Sequence, residues 1–583
     1  MRQRRALFLL VFPAAILLAL ACGRPAAVEP ADMVLQNGKI VTMDSTRPEA
    51  SALAARGGKV VAVGTVEEIK PYIGPKTEVI DVGGRLAVPG FNDAHLHFTG
   101  IGQARMNLNL MKARNWDEIV AMVADAASKA QPGEWILGRG WHQEKWDKVP
   151  VPNVEGFPTD ESLSKASPNN PVLLTHASGH ATFANAKAME LSGITRKTPN
   201  PAGGEILKDA KGNPIGVFRE AASGLVRKAY AESRAKRTPE QVEADARKEV
   251  ELADQDCLSK GVTSVQDAGS SFATIDLIKR MVDEGKLGVR AYVMVRGESP
   301  QSMTENLARY RMIGYGDNHL TVRAIKTIMD GALGPRGAWL LEPYSDSPKS
   351  TGLNTLPVSE IAGTAKIAIE NDFQLCTHAI GDRANRETLD VYEAAFKAHP
   401  DKKDLRWRVE HAQHLSLADI PRFGTLGVIA SMQGIHCTSD GPYVLARLGP
   451  KRAEEGAYVW QKLMKSGAIV ANGTDAPVED VDPIPNYYAL VTRKMKNGQV
   501  FYGDQKMSRM EALKSYTIES AYAAFEEGVK GSLGPGKLAD ITVLSKDITT
   551  VPEEEILSAQ VVYTIVGGKV RYKGGQTAKT TSE

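Results

Sequence analysis

The sequence predicts an α/β protein: a (β/α)8 barrel with a small β-sandwich domain built from both chain ends and a large insert after barrel strand 1. Three observations carry this expectation. Both ends are rich in short strand-like runs broken by turn residues. The middle instead alternates β-branched runs with helical stretches, the pattern of βα units. Eight such runs lie near 86–92, 262–266, 289–295, 322–329, 374–378, 406–411, 428–432 and 468–475.

The first end, 33–85, alternates strands with turns, Asn37-Gly38 being a hairpin signal. The last, 531–575, has the same texture, and a tail follows at 576–583. The barrel then occupies 86–530. Its runs are evenly spaced except after the first. The stretch from there to Val262 is too long for a barrel connection, so an inserted subdomain is expected at about 100–255. Within it, 239–260 has helical spacing of apolar residues.

The N-terminus reads as an address. Arg2, Arg4 and Arg5 precede an apolar run from Ala6 to Ala21, as in a secretory signal. Ala19-Leu20-Ala21 fits a cleavage site, and Cys22 follows directly. This resembles a bacterial lipoprotein signal with Cys22 as the lipidated residue. Plain secretion and an uncleaved anchor are the alternatives. Residues 23–32 then form a tether, and the protein is expected to be exported, periplasmic or at the cell surface.

Composition removes several classes. With 43% hydrophobic and 24% charged residues among 583, the chain is neither disordered nor collagenous nor a coiled coil. A net charge of +2 gives no pull toward nucleic acid. Four cysteines cannot form a disulfide framework, and Cys257, Cys376 and Cys437 read as buried thiols. Oligomeric state is unreadable beyond the base-rate homodimer.

His95-Leu96-His97 ends the first run. In a strand, residues i and i+2 share a face, so two imidazoles there can grip one metal. Alone, such a pair is weak evidence. But His378 ends the fifth run, His411 the sixth and Asp475 the eighth. Barrel active sites lie at the C-terminal ends of strands, so these groups converge on one mouth. Imidazole and carboxylate suit Zn²⁺, with Mn²⁺, Fe²⁺ and Co²⁺ as alternatives.

These residues resemble the metal-dependent amidohydrolase superfamily, within it the YtcJ-like branch (amidohydrolase family 3) that includes N-substituted formamide deformylase. The resemblance spans nearly the whole mature chain. It rests on Pro89-Gly90-Phe91-Asn92-Asp93-Ala94-His95-Leu96-His97, on Ser178-Gly179-His180 with Asn185, and on Asp330-Gly331-Ala332-Leu333-Gly334. His378-Ala379-Ile380-Gly381-Asp382-Arg383-Ala384, Glu410-His411-Ala412-Gln413 and Gly473-Thr474-Asp475-Ala476-Pro477-Val478-Glu479 add to it. It implies that His95 and His97 bind the more buried of two metal ions and His378 and His411 the other. Asp475 contacts the first ion and the bridging water. Lys326 is implied to be carbamylated (N6-carboxylysine) and to bridge the two ions; a plain strand-end lysine beside one metal is the rival reading. Pro335-Arg336-Gly337-Ala338 departs from the pattern, which bears on substrate fit rather than metal binding.

The chemistry expected is attack on a carbonyl by a metal-activated hydroxide, with Asp475 as acid and base. His180 is the candidate oxyanion donor, against a role in holding its loop. Trp141, His436 and Asp382 are candidate substrate contacts. Core packing for Trp141 and a salt bridge of Asp382 with Arg383 are the competing readings. Gln413 and His414 suggest support behind a ligand. The substrate expected is a small molecule with a non-peptide C–N bond, of amide, N-acyl or formamide type. An esterase, lactonase or phosphoesterase on the same scaffold is the alternative, since fold does not choose the reaction. A surface-anchored binding protein with a vestigial site is a third reading, disfavoured by the intact ligand set.

Overall fold

The computed structural model describes residues 28–235 and 237–575. The leader with Cys22 and the 576–583 tail lie outside the described residues. No helix among the described residues is long and apolar enough to cross a membrane.

Eight parallel strands make the barrel: β1 (Phe91–Leu96), β2 (Val262–Ser270), β3 (Arg290–Val295), β4 (Leu320–Ile328), β5 (Gln374–Ala379), β6 (Arg408–His411), β7 (Ile429–Met432) and β8 (Val470–Asn472). Each pairs with its sequence neighbour. The last gap, β8 to β1, is closed beyond the strands by loop contacts. Asp475 N donates to His95 O at 2.7 Å and His97 N to Ala476 O at 2.7 Å. Asp93 accepts from the Thr474 hydroxyl at 2.6 Å. The elements that shut the barrel are therefore the ones that carry the ligands.

The first expected strand, 86–92, is two strands. Leu86–Pro89 belongs to the small domain, parallel to Met33–Val41 and antiparallel to Ile541–Leu544. Only after Gly90 does the chain enter the barrel. Leu86–Pro89 thus joins the N-terminal and C-terminal strands into one eight-stranded sheet rather than two separate sheets. Leu35, Leu53, Ile80, Ile541, Val543 and Ile565 share one core, so strands from both ends of the chain enclose the same apolar interior. Arg290 of β3 ties this domain to the barrel through a buried two-pronged ion pair with Asp540, at 2.7 and 3.1 Å.

After β1 come α1 (Phe98–Met106) and the insert, which has a six-stranded sheet of its own. The expected helix is α2 (Pro239–Ser259), opened by a capping box at Thr238 and Pro239 at its first turn. It packs on α1 rather than on the insert sheet: Gln103 donates to Glu249 at 3.1 Å and Arg105 pairs with Asp256 at 2.6 Å. The insert's core holds Trp116, Trp141, Leu163, Leu174 and Phe183. Its turn at 177–180, between strands Val172–His176 and Ala181–Ala184, faces the barrel mouth.

Candidate metal centre

An open cavity of about 1290 Å³ lies at the C-terminal end of the barrel, between it and the insert. His97, Lys326, His378, His411, His436 and Asp475 line it, and His180 reaches it from the insert turn. His95 lies directly beneath, wholly buried.

His95 of β1 and His97 just past it both face Asp475, whose Oδ1 is 3.6 Å from His95 Nε2 and 3.4 Å from His97 Nε2. These three form one group at ligand spacing, and His411, His436 and Asp475 form a second. The rings of His95 and His411 are 4.7 Å apart, and those of His378 and His411 4.5 Å. His378 falls in neither group; its Nε2 sits 3.6 Å from Asp330 Oδ1. His378 lies in β5 and His411 ends β6, but Asp475 stands three residues past β8. The backbone is strained where it presents ligands: His411 has φ 76° and Asp475 φ 56°. Such conformations cost about 1–3 kcal/mol each in non-glycine residues and persist where the surroundings enforce them.

The nitrogens facing away from the centre decide what the other nitrogens can do. His95 Nδ1 donates to Glu410 Oε2 at 2.5 Å, and His411 Nδ1 to Gln433 Oε1 at 2.8 Å. Both rings therefore turn a bare Nε2 lone pair toward Asp475. His436 is the reverse. Gln413 Nε2 donates to its Nδ1 at 3.0 Å, which puts the ring proton on Nε2, 3.9 Å from Asp475 Oδ2. That ring presents a donor to the cavity.

Burial pushes His95 down to about 4, and it holds His378 and His411 well below their ordinary value, so all three rings are neutral. Burial alone would raise Asp475. The close approach of His97 outweighs it, and the carboxylate stays well below its ordinary value and ionised. Burial pulls Lys326 down to about 8, with the Arg296 charge adding to the effect. His95 Nε2, His378 Nε2, His436 Nε2 and Asp475 Oδ1 are buried without a hydrogen-bond partner. Buried polar atoms are rarely left so. Neutral imidazoles and a carboxylate, unpartnered and converging, are the donor set of a divalent transition-metal site.

Two of the expected substrate contacts lie elsewhere. Trp141 is fully buried in the insert core, its Nε1 donating to Leu174 O at 3.0 Å. Alternation along Ile136–Trp141 would put it on the cavity face with Leu137 and Arg139. A register shift opposite Gly140, which has φ 109°, turns it inward. Asp382 does not line the cavity; its Oδ1 accepts from Leu341 N at 2.9 Å and it begins helix Asp382–Ala398. Arg383 packs on Trp339 at 4.6 Å rather than pairing with Asp382. His180 does line the cavity, its Nδ1 3.0 Å from Glu220 Oε2. Arg336 pairs with Asp346 and lies off the cavity wall.

Sequence reasoning passed over the layer beneath the ligands. Arg408, wholly buried, holds Glu410 with two hydrogen bonds at 2.7 and 3.0 Å and also reaches Ala94 O, Ser431 and Gln266. Asp330 takes the amides of Trp339, Ile380 and Gly381 at 2.8–2.9 Å. For Arg408 and Glu410 the signal available was two opposite charges inside one strand run.

Residues 78–572 match the model of the amidohydrolase family. The chain belongs to the amidohydrolase family. Among its relatives is Protein LONG AFTER FAR-RED 3 of Arabidopsis thaliana, 32% identical over 94% of this chain and 93% of that one. N-substituted formamide deformylase of Arthrobacter pascens is 29% identical over 93% and 98%. The crystal structure of an uncharacterized metal-dependent hydrolase from Pyrococcus horikoshii OT3 is also similar, with TM-score 0.71, 27% identity, and 90% and 99% of the two chains covered. The site sits at the C-terminal ends of the barrel strands, where barrel active sites lie.

Proposed function

We propose that this amidohydrolase hydrolyses a non-peptide C–N bond of a small molecule, of the amide, N-acyl or formamide type. The observation that carries the reading is the convergence of buried, unpartnered His95 Nε2, His378 Nε2 and Asp475 Oδ1 on one cavity. Likeness to a formamide deformylase over nearly the full length supports the bond type.

His95, His97 and Asp475 would hold one divalent ion, with His378 and His411 holding a second; zinc suits these donors first. When bound, such ions supply Lewis acidity toward a carbonyl and lower the pKa of a water. Lys326 would bridge as a carbamate. Its burial supports this, because an amine held near pKa 8 is partly neutral at physiological pH and only the neutral amine takes up CO₂. Asp475 takes the proton of the attacking water and returns it to the leaving nitrogen, a role its ionised state allows. His436 Nε2–H and His180 are placed to donate to the oxygen on which charge develops. The basic and apolar leader supports export, with Cys22 as a lipid anchor.

Two measurements test this together: metal content per chain by elemental mass analysis, and a matched panel of amides, formamides and esters. About two equivalents with amide turnover is expected. Turnover confined to esters would move the reaction class, and a metal-free, inactive chain that metal does not restore would end the reading.

A further inference from the structure

Three arginines of the cavity wall are left without a carboxylate partner among the described residues. Arg139 lies on the insert strand Ile136–Trp141, Arg227 on helix Ser223–Arg234, and Arg296 directly after β3; all three line the cavity. None has a carboxylate within 4.0 Å among the described residues, although most other arginines in the molecule do. Arg139 Nη2 donates to Ala177 O at 3.0 Å and Arg227 Nη2 to Gly179 O at 3.3 Å. The two guanidiniums thus flank the turn that carries His180, each fixed by one N–H with the rest uncommitted. Arg139 Nε is buried without a partner. The Arg296 head group makes no hydrogen bond among the described residues. Its stem is nevertheless fixed: it lies across Gly269, where a Cβ would meet its Cβ at 2.5 Å and Cδ at 2.6 Å.

Asp475, whose charge reaches both Arg139 and Arg296, belongs to the ligand group, and three further carboxylates close by are already engaged. Asp330 accepts three backbone amides, Glu298 caps Phe272 N, and Asp267 accepts from Phe98 N and Ser270. Like charges brought together in a partly desolvated wall repel, and a bound anion relieves that cost. Burial holds Arg139 below its ordinary value, the Asp475 charge opposes it, and the Arg227 charge adds to it. Guanidinium forks match planar oxyanions, so these groups select by geometry as well as by sign.

We propose that the substrate is an anionic amide, whose carboxylate or similar oxyanion, remote from the scissile bond, is held by Arg139 and Arg227, with Arg296 adding a third positive charge from the barrel side. This rests on the hydrolase reading above and narrows its substrate class.

The test uses the full metal-loaded chain and three matched probes: N-formylphenylalanine, its neutral primary carboxamide, and its phosphonate counterpart. The carboxylate is expected to exceed the carboxamide in kcat/KM by at least tenfold. In Arg139→Met and Arg227→Met that ratio collapses toward one, mainly through KM, while Arg139→Lys retains part of it. Loss of a merely structural turn would lower both probes alike and leave the ratio, which overturns the proposal. A phosphonate preferred over the carboxylate keeps the proposal and identifies a phosphate-type group. If no probe is hydrolysed, calorimetric binding decides. Tighter binding of the anionic probes, lost in both Met variants, upholds the arginine site while the C–N reading fails. Equal binding, or none, overturns it.

Discussion

His95 Nδ1 lies 2.5 Å from Glu410 Oε2, and both side chains are fully buried. The same carboxylate is held from the other side by Arg408. The chain Arg408–Glu410–His95 therefore fixes a ring orientation from inside the barrel. It fixes the tautomer as well, because a carboxylate facing Nδ1 obliges the lone pair to sit on Nε2. Despite burial, Arg408 and His95 keep Glu410 well below the usual carboxylate range.

Glu410→Gln should therefore act twice. An amide can satisfy His95 or Arg408 but leaves the buried guanidinium without its counter-charge. A stability loss of about 3 kcal/mol or more is expected, because breaking a buried pair strands the remaining charge. Metal affinity should fall about 10–100-fold with the loss of support behind the ligand. Denaturant unfolding and chelator competition measure the two separately. A variant with parental affinity would show that His95 does not depend on Glu410.

Asp475→Asn keeps an oxygen toward His95 and His97 but removes the basic lone pairs. Metal content should stay near parental and kcat should drop about 10²–10⁴-fold. Near-parental turnover would remove Asp475 as the base.

His378→Ala tests the two-ion arrangement, since His378 falls in neither three-residue ligand group. Metal content is expected to fall toward one ion per chain, measured on protein purified without chelator. Unchanged stoichiometry would take His378 off the ligand set.

Much of this layout was legible in the sequence because barrel chemistry is positional. Ligand types at the ends of β-branched runs have one place to meet, and His95, His97, His378, His411 and Asp475 do meet there. What was not legible depends on local backbone. Gly90 divides one apolar run between two sheets, which no periodicity reveals. The shift opposite Gly140 reverses the side on which Trp141 falls. Asp382 sits in a family-like motif, yet its oxygen is spent on Leu341 N and the cavity wall passes to its neighbours. The arginines of the wall were invisible for another reason: an unpaired cation is defined by what does not approach it, and that is known only after folding.

A last prediction concerns stability away from the site. Asp254 of α2 is buried, and its Oδ1 accepts from Gly288 N at 2.9 Å and Val289 N at 2.8 Å, fixing the approach to β3. Burial raises its carboxyl to about 6, outweighing those two donors. The unfolded chain releases this proton near 3.8. Between the two values the folded state binds the more protons, so stability contributed here is present below about pH 4, falls as pH rises through 6, and is flat above. Two units correspond to about 3 kcal/mol. In Asp254→Asn the same oxygen still serves both amides, and nothing remains to ionise. The variant should thus match or trail the parent at pH 4 and exceed it by about 1–3 kcal/mol at pH 8. Denaturant midpoints of parent and variant at pH 4, 5, 6 and 8 isolate the residue, because every other titration cancels in the difference. A difference that does not change with pH would mean Asp254 is ionised in the folded protein across the whole range.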